Sequence, residues 1–354
     1  LTEWLIMICI QKRLITDRIF CKEDKIMRVF LAGDSLVQDY TDEEFIAGWG
    51  QFLKQAVSKD CEVINMAKGG RSSRLFINEG RFDEIDKNIQ KGDYLFIEFC
   101  HNDDNSKGYK TMFNRLVSTG KADENGRYPL IPGELVDKTY IPEEYLKQLY
   151  ADESIKDKQA VIDSVLNMFK QYPHDKYYPY SEDGSKGTYK WFLKQYVDMA
   201  REHEAVPVIV TAVARTVFDN NGKLKDGAGL HGGDNFCYIR AARQLASECN
   251  AALLDLFEAS KTLFEKVGKE NIHYLMSIKQ GINKGKWPED FDKEMLKKET
   301  VSEDTHLNKY GAYLITNELV RLIMDCNNRE LDALKKNMTG TIQPVEPPEK
   351  LQLK

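Results

Sequence analysis

No apolar run in this 354-residue chain approaches the length of a membrane span. The stretch Trp4–Ile10 is apolar, but it is far shorter than the roughly 20 residues a spanning helix needs. With Glu3 before it and no small-residue cleavage site after it, it supports a signal peptide only weakly, and both a cytoplasmic and a secreted location stay open. Basic blocks are absent as well. Lys and Arg total 50 against 56 Asp and Glu, a formal charge of −6, so the electrostatic footprint of a nucleic-acid binder is missing. Seven cysteines, at 9, 21, 61, 100, 237, 249 and 326, are odd in number and include no C-x-x-C pair. That excludes a zinc ribbon and a small disulfide framework, and Cys61 and Cys100 read as small buried hydrophobes. Repeats and low-complexity tracts are also lacking. What is present, 42% hydrophobic and 30% charged residues, is the make-up of an ordinary globular chain with enough length for a full core.

Apolar, β-branched runs recur at Arg28–Ala32, Glu62–Met66, Tyr94–Phe99, Val206–Val213 and Ala252–Leu256. Most are continuous rather than alternating, as expected of strands covered on both faces. Helical spacing falls between and after them, at Glu43–Val57, Tyr189–Arg201, Phe236–Glu248 and Tyr310–Asp325. About five strand-then-helix repeats predict a parallel sheet with helices on both faces. Residues 105–185, with a helical pattern near Pro142–Met168, and residues 267–300 break that rhythm and read as insertions at the rim of the site. Residues 1–26 precede the first convincing strand and are expected to be a peripheral extension. The main domain is then 27–326, and 327–354 reads as an extended tail.

In such a sheet ligands bind beyond the carboxyl ends of the strands. Three polar clusters stand there: Gly33-Asp34-Ser35, Gly69-Gly70-Arg71 and Cys100-His101-Asn102-Asp103. The first has two readings. Gly, Asp and Ser are turn formers, with Asp34 bracing the turn; alternatively Ser35 is a nucleophile held at the strand end. A nucleophilic serine needs a base and the base an orienting acid. His306, in "SEDTHLNKYGAYLI", has carboxylates just before it and a helix just after it.

The blocks "GDSL" (33–36), "INMAKGGRSSRLF" (64–76), "FIEFCHNDDN" (96–105) and "EDTHLNKYGA" (303–312) come in the order of the SGNH (GDSL) hydrolases, which the chain resembles from about Met27 to Asp325. The second and last blocks, with "VTAVARTVFDNNGKL" and "HGGDNF", are similar to the rhamnogalacturonan acetylesterase branch. The resemblance implies a flavodoxin-like three-layer α/β/α fold with a central parallel five-stranded sheet. It implies a cofactor-free serine esterase that removes O-acetyl groups from carbohydrate, pectin-type polysaccharide or oligosaccharide, with no protein partner. Ser35 then matches the nucleophile, His306 the base, and the oxyanion hole is formed by the N–H groups of Ser35 and Gly70 and the amide of Asn102. Family members are often exported.

Two positions depart from the family pattern. Cys100 replaces a glycine, a tolerable exchange of small residues. The acid expected three residues before the base is Glu303, with Asp304 one residue later. Spacing favours Glu303, chemistry Asp304, and Glu303 is taken first. Arg71 and Arg74 either pair with a uronate carboxylate or brace the second block; His101 either touches substrate or is structural; Trp49 fits a core position. Asp103-Asp104 lack a ligand set with metal-binding spacing, so no metal site is expected. A lipase or thioesterase of the same fold, and a non-catalytic carbohydrate-binding relative, are the competing functions.

Overall fold

The computed structural model describes residues 26–41, 45–104, 115–136, 143–153, 155–171, 176–177, 181, 183–225, 236–278 and 302–347. The expected peripheral extension at 1–26 therefore lies outside the described residues, apart from Ile26. Strands β1 (Met27–Gly33), β2 (Cys61–Asn65), β3 (Tyr94–Glu98), β6 (Val206–Val210) and β7 (Ala252–Leu254) form one sheet in the order β2-β1-β3-β6-β7. Every pairing within it is parallel. The short strands β4 (Leu135–Val136) and β5 (Lys176–Tyr177) pair antiparallel, as do β8 (Met276–Ile278) and β9 (Ser302–Leu307). The helices are α1 (Trp49–Leu53), α2 (Ser73–Asn78), α3 (Arg81–Asn88), α4 (Glu143–Ala151), α5 (Lys158–Gln171), α6 (Tyr189–Glu202), α7 (Cys237–Glu248), α8 (Leu256–Val267), α9 (Lys309–Asp325) and α10 (Asp332–Lys336).

Helices α2, α3, α6 and α7 pack with one another, while α1 and α8 pack against α9, so two helical layers enclose the sheet. All five residues of β3 are buried, as its unbroken apolar run requires of a strand covered on both faces. An aromatic cluster of Phe76, Phe99 and Tyr196, with ring centroids 5.3–6.1 Å apart, ties α2 and α6 to the end of β3. Contacts of this kind contribute about 0.5–1.5 kcal/mol each beyond area burial. The sheet order reverses between β1 and β3, and ligands of doubly wound sheets bind at such a reversal.

Two expectations need correction. The helix expected at 43–57 is only α1. Before it, Gly48 is extended, Ala47 N–H donates to the Leu307 carbonyl and Trp49 N–H to that of Leu36, so tertiary partners take the backbone donors a longer helix would use. The pattern near 142–168, expected to hold at least one helix, holds two, α4 and α5. The tail is not extended from 327 onward. Asn328 caps a short helical turn that leads into α10, and Leu331, Leu334 and Ile342 enter the main core. Part of the first insertion also joins that core, through Val117 and Tyr128.

Candidate active site

β1 ends in a single turn rather than running into a helix. The N–H groups of Val37 and Gln38 both donate to the Asp34 carbonyl, at 3.2 and 3.1 Å, and Leu36 N–H donates to Asp34 Oδ1 at 2.9 Å. Leu36 and Val37 are fully buried and anchor the turn. A Cβ on Gly33 would stand 2.5 Å from Val37 Cγ2, so this corner closes only on glycine. Ser35 is thereby fixed at the strand's carboxyl end, and Tyr40 OH donates to its carbonyl at 3.0 Å. Its Oγ lies 3.0 Å from His306 Nε2, across 271 positions of sequence. With the imidazole proton on Nδ1, the Ser35 hydroxyl donates to Nε2, the arrangement a general base requires.

His306 stands near the end of β9. Asn308 then caps α9, accepting from Gly311 N–H at 2.9 Å while its amide donates to the Tyr274 and Met276 carbonyls. A Cβ on Gly311 would lie 2.1 Å from the Leu275 carbonyl oxygen. Asn308 and Gly311 of "THLNKYGA", silent in chemical terms, are thus the mount that holds the His306 end of β9 against β8. The alternation of a strand puts positions 302, 304 and 306 on one face. Asp304 Oδ1 accepts from Thr305 Oγ1 at 2.7 Å, and its carbonyl accepts from Thr216 N–H at 2.8 Å. The backbone of Glu303 belongs to β9, but its side chain lies outside the described residues.

After β2 the chain turns through Gly70, at φ +80° in the region that favours glycine. Gly69 sits beside the nucleophile, a Cβ there being 3.5 Å from Ser35 Cβ, and its N–H donates to Gln38 Oε1. Among the described residues the N–H groups of Ser35 and Gly70 donate to no acceptor. After β3, Asp103 and Asp104 N–H both donate to the Cys100 carbonyl, which turns the chain and presents Asn102. Asn102 Nδ2 donates to Asp34 Oδ2 at 3.2 Å and to the Arg71 carbonyl at 3.1 Å. Buried Asp103 accepts from Ser73 N–H at 3.0 Å, and Tyr238 OH donates to the Asp103 carbonyl, so the loop is pinned from two sides.

The arginines hold the walls. Arg71 forks onto Glu79 through Nε and Nη2, at 2.8 and 2.9 Å, and donates from Nη1 to the Gly69 carbonyl. Arg74 is buried and donates to the Leu116 carbonyl; burial pulls its guanidinium down to about 9, with Asp103 opposing. His101 is buried too. Its Nδ1 accepts from Arg215 Nε at 3.4 Å and its Nε2 faces the Val213 carbonyl at 3.0 Å, a pairing that fits a neutral Nε2–H imidazole. Trp49 is fully buried in the core.

A nest of acids lies beneath. Burial pushes the Asp34 carboxyl up to about 6, against the pull of Leu36 N–H, His306, Arg215 and Asn102. Glu98, paired in register with Gly33, is driven well above the usual carboxylate range by burial, then by Asp34 and Asp103. Among the described residues neither of its carboxyl oxygens has a hydrogen-bond partner. Asp103 is raised in the same way, despite its bonds from Ser73. Two residues that pattern-reading did not single out also stand here. Arg215 was visible inside the "VTAVARTVF" block; Arg115, which donates to Asn102 and borders the space where a Gly70 side chain would stand, lies in the first insertion and carried no signal.

The arrangement brings Ser35, Gly70, Asn102 and His306 to one end of the sheet, with a hydroxyl and an imidazole in hydrogen-bonding contact. The sequence model for the GDSL-like lipase/acylhydrolase family matches residues 29–319. A probable rhamnogalacturonan acetylesterase of Bacillus subtilis, YesY, is 30% identical over 295 residues, covering 83% of this chain and 89% of its own. The rhamnogalacturonan acetylesterase RhgT of the same organism is 29% identical, over 81% of this chain and 85% of its own. Among solved structures, that of the B. subtilis protein YxiM aligns with a TM-score of 0.50 at 17% identity, over 89% of this chain and 58% of that one, a likeness of fold. The chain belongs to the GDSL-like lipase/acylhydrolase family and is a carboxylic ester hydrolase with the SGNH fold.

Proposed function

We propose that this enzyme is a serine acetylesterase that removes O-acetyl groups from carbohydrate, with pectin-type polysaccharide or its oligosaccharides as substrate. The observation that carries the mechanism is the 3.0 Å contact between Ser35 Oγ and His306 Nε2, beside the N–H groups of Ser35 and Gly70, which among the described residues donate to no acceptor. The names of the two B. subtilis relatives support the substrate class.

Ser35 Oγ attacks the ester carbonyl as its proton passes to His306 Nε2. The tetrahedral oxyanion takes hydrogen bonds from the Ser35 and Gly70 N–H groups and from Asn102 Nδ2, which releases one of its two present acceptors, Asp34 Oδ2 or the Arg71 carbonyl, to turn to it; each such donor is worth ~10²–10³ in rate. Collapse expels the sugar alkoxide, which takes the proton from His306 and leaves acetyl-Ser35. Water then loses a proton to His306 and attacks the acyl group; acetate departs and Ser35 recovers its proton. For the acid that orients His306, the register of β9 favours Asp304, whereas the family spacing favours Glu303.

Hydrolysis of 4-nitrophenyl acetate by wild type and Ser35→Ala tests the chemistry, with a loss on the order of 10³-fold or more expected. Acetate release from acetylated rhamnogalacturonan against acetylated xylan tests the substrate. Turnover that survives Ser35→Ala overturns the mechanism, and equal rates on the two polymers overturn the pectin assignment.

A further inference from the structure

Arg115, from the first insertion, meets two of the three groups assigned to the oxyanion hole. Its Cζ, Nη1 and Nη2 lie 3.4, 3.5 and 3.7 Å from the point where a Gly70 Cβ would stand. Three nearly equal distances mean that the guanidinium lies flat against this residue. Nη1 also donates to Asn102 Oδ1 at 3.4 Å.

The polarity of these contacts is informative. An Asn amide can be turned over at little steric cost, so its partners decide which end faces the reaction. Here Nδ2 faces two pure acceptors, Asp34 Oδ2 and the Arg71 carbonyl, and Oδ1 faces a pure donor. Turning the amide would set oxygen against oxygen twice and nitrogen against guanidinium once. Donation into Oδ1 also polarises the amide, which makes its N–H groups better donors. An arginine supplies a charge that does not titrate at working pH, and a plane able to stack and donate together.

We propose that Arg115 is the positioning residue of the oxyanion hole, fixing the orientation of the Asn102 amide through its oxygen and placing a fixed positive charge beside two of the three donors. The role rests on the assignment of Gly70 and Asn102 as donors, and it ties an insertion residue to the rate of the chemical step rather than to substrate capture.

The test uses 4-nitrophenyl acetate, which has no carboxylate for an arginine to bind. Arg115→Met is expected to lower kcat about tenfold with KM within twofold and an unchanged melting temperature, and Arg115→Lys to recover part of the loss. In an Asn102→Ala background Arg115→Met is expected to cost less than twofold more, because the residue it acts through is gone. Wild-type kcat in Arg115→Met overturns the role, as does a loss that multiplies fully with that of Asn102→Ala. A loss confined to KM on uronate-bearing substrates makes Arg115 a carboxylate anchor instead and overturns it too. Should Arg115→Met not fold, Arg115→Lys carries the test, with a two- to fivefold loss of kcat expected and the wild-type value overturning the role. A wild type with no Ser35-dependent turnover removes the esterase reading itself, a failure distinct from that of Arg115.

Discussion

Asp34 ties two donors of different elements to one carboxylate, Leu36 N–H in the nucleophile turn and the Asn102 amide from beyond β3. An Asn at this position offers one acceptor and one donor, so either the turn or the Asn102 contact loses its partner. Asp34→Asn is expected to fold and to lose tenfold or more in kcat; a circular-dichroism melt together with esterase kinetics checks both halves. The acid that orients His306 is settled by two further exchanges. If Asp304 holds the base, Asp304→Ala loses on the order of 10²–10⁴-fold in kcat and Glu303→Ala only a few-fold, since triad acids show losses of that order. The reverse ranking would return the role to Glu303. At this scale the sequence was informative where a residue sits in a contiguous block: Ser35, Gly70, Asn102 and His306 could all be named from it. Arg115 could not, because its partners are 45 and 13 positions away and an arginine in a polar insertion looks like any solvated charge.

Among the elements, the capping turn of α9 anchors the end of β9, where the proposed base His306 stands. Asn308 joins three backbone groups, Gly311 N–H and the carbonyls of Tyr274 and Met276. Asn308→Ala is expected to cost about 1–2 kcal/mol of stability, the usual range for a lost cap. Denaturant unfolding measures it, and an unchanged midpoint would show the cap to be idle. Gly311→Ala is expected to be worse, because its Cβ has a carbonyl oxygen at 2.1 Å and no flexible side chain to push aside. The parallel strands were legible in the chain because burial on both faces leaves uninterrupted apolar runs. The pair β8–β9 was not: β8 has only three residues, and β9, Ser-Glu-Asp-Thr-His-Leu, is polar up to its last position and carries the candidate base where a pattern of packing would have been needed. The shortfall of the helix before α1 has the same origin, since tertiary acceptors at Leu36 and Leu307 outweighed local spacing.

For the molecule as a whole, the buried acids set how stability responds to pH. In the unfolded chain Glu98 loses its proton near pH 4–5, while the folded protein holds it well above that range. Raising the pH therefore favours the unfolded state, and the contribution of Glu98, complete in acid, is lost as pH climbs toward its folded pKa. Glu98→Gln keeps the shape and stays neutral. Its melting temperature is expected to match wild type near pH 4.5 and to exceed it at pH 8; a wild type more stable than the variant at pH 8 contradicts this account. The parallel sheet and the gathering of polar clusters at the carboxyl ends of its strands could be anticipated from strand succession, whereas the nest of acids could not, because Glu98 reads as the polar end of an ordinary strand. The 271 positions between Ser35 and His306 have a consequence for biosynthesis. At roughly 5–20 residues per second, a ribosome that has made the nucleophile needs about 15–55 s more to deliver the base. A nascent or truncated chain that ends before β9 carries a serine with no partner to deprotonate it, so activity also reports that translation has passed residue 306.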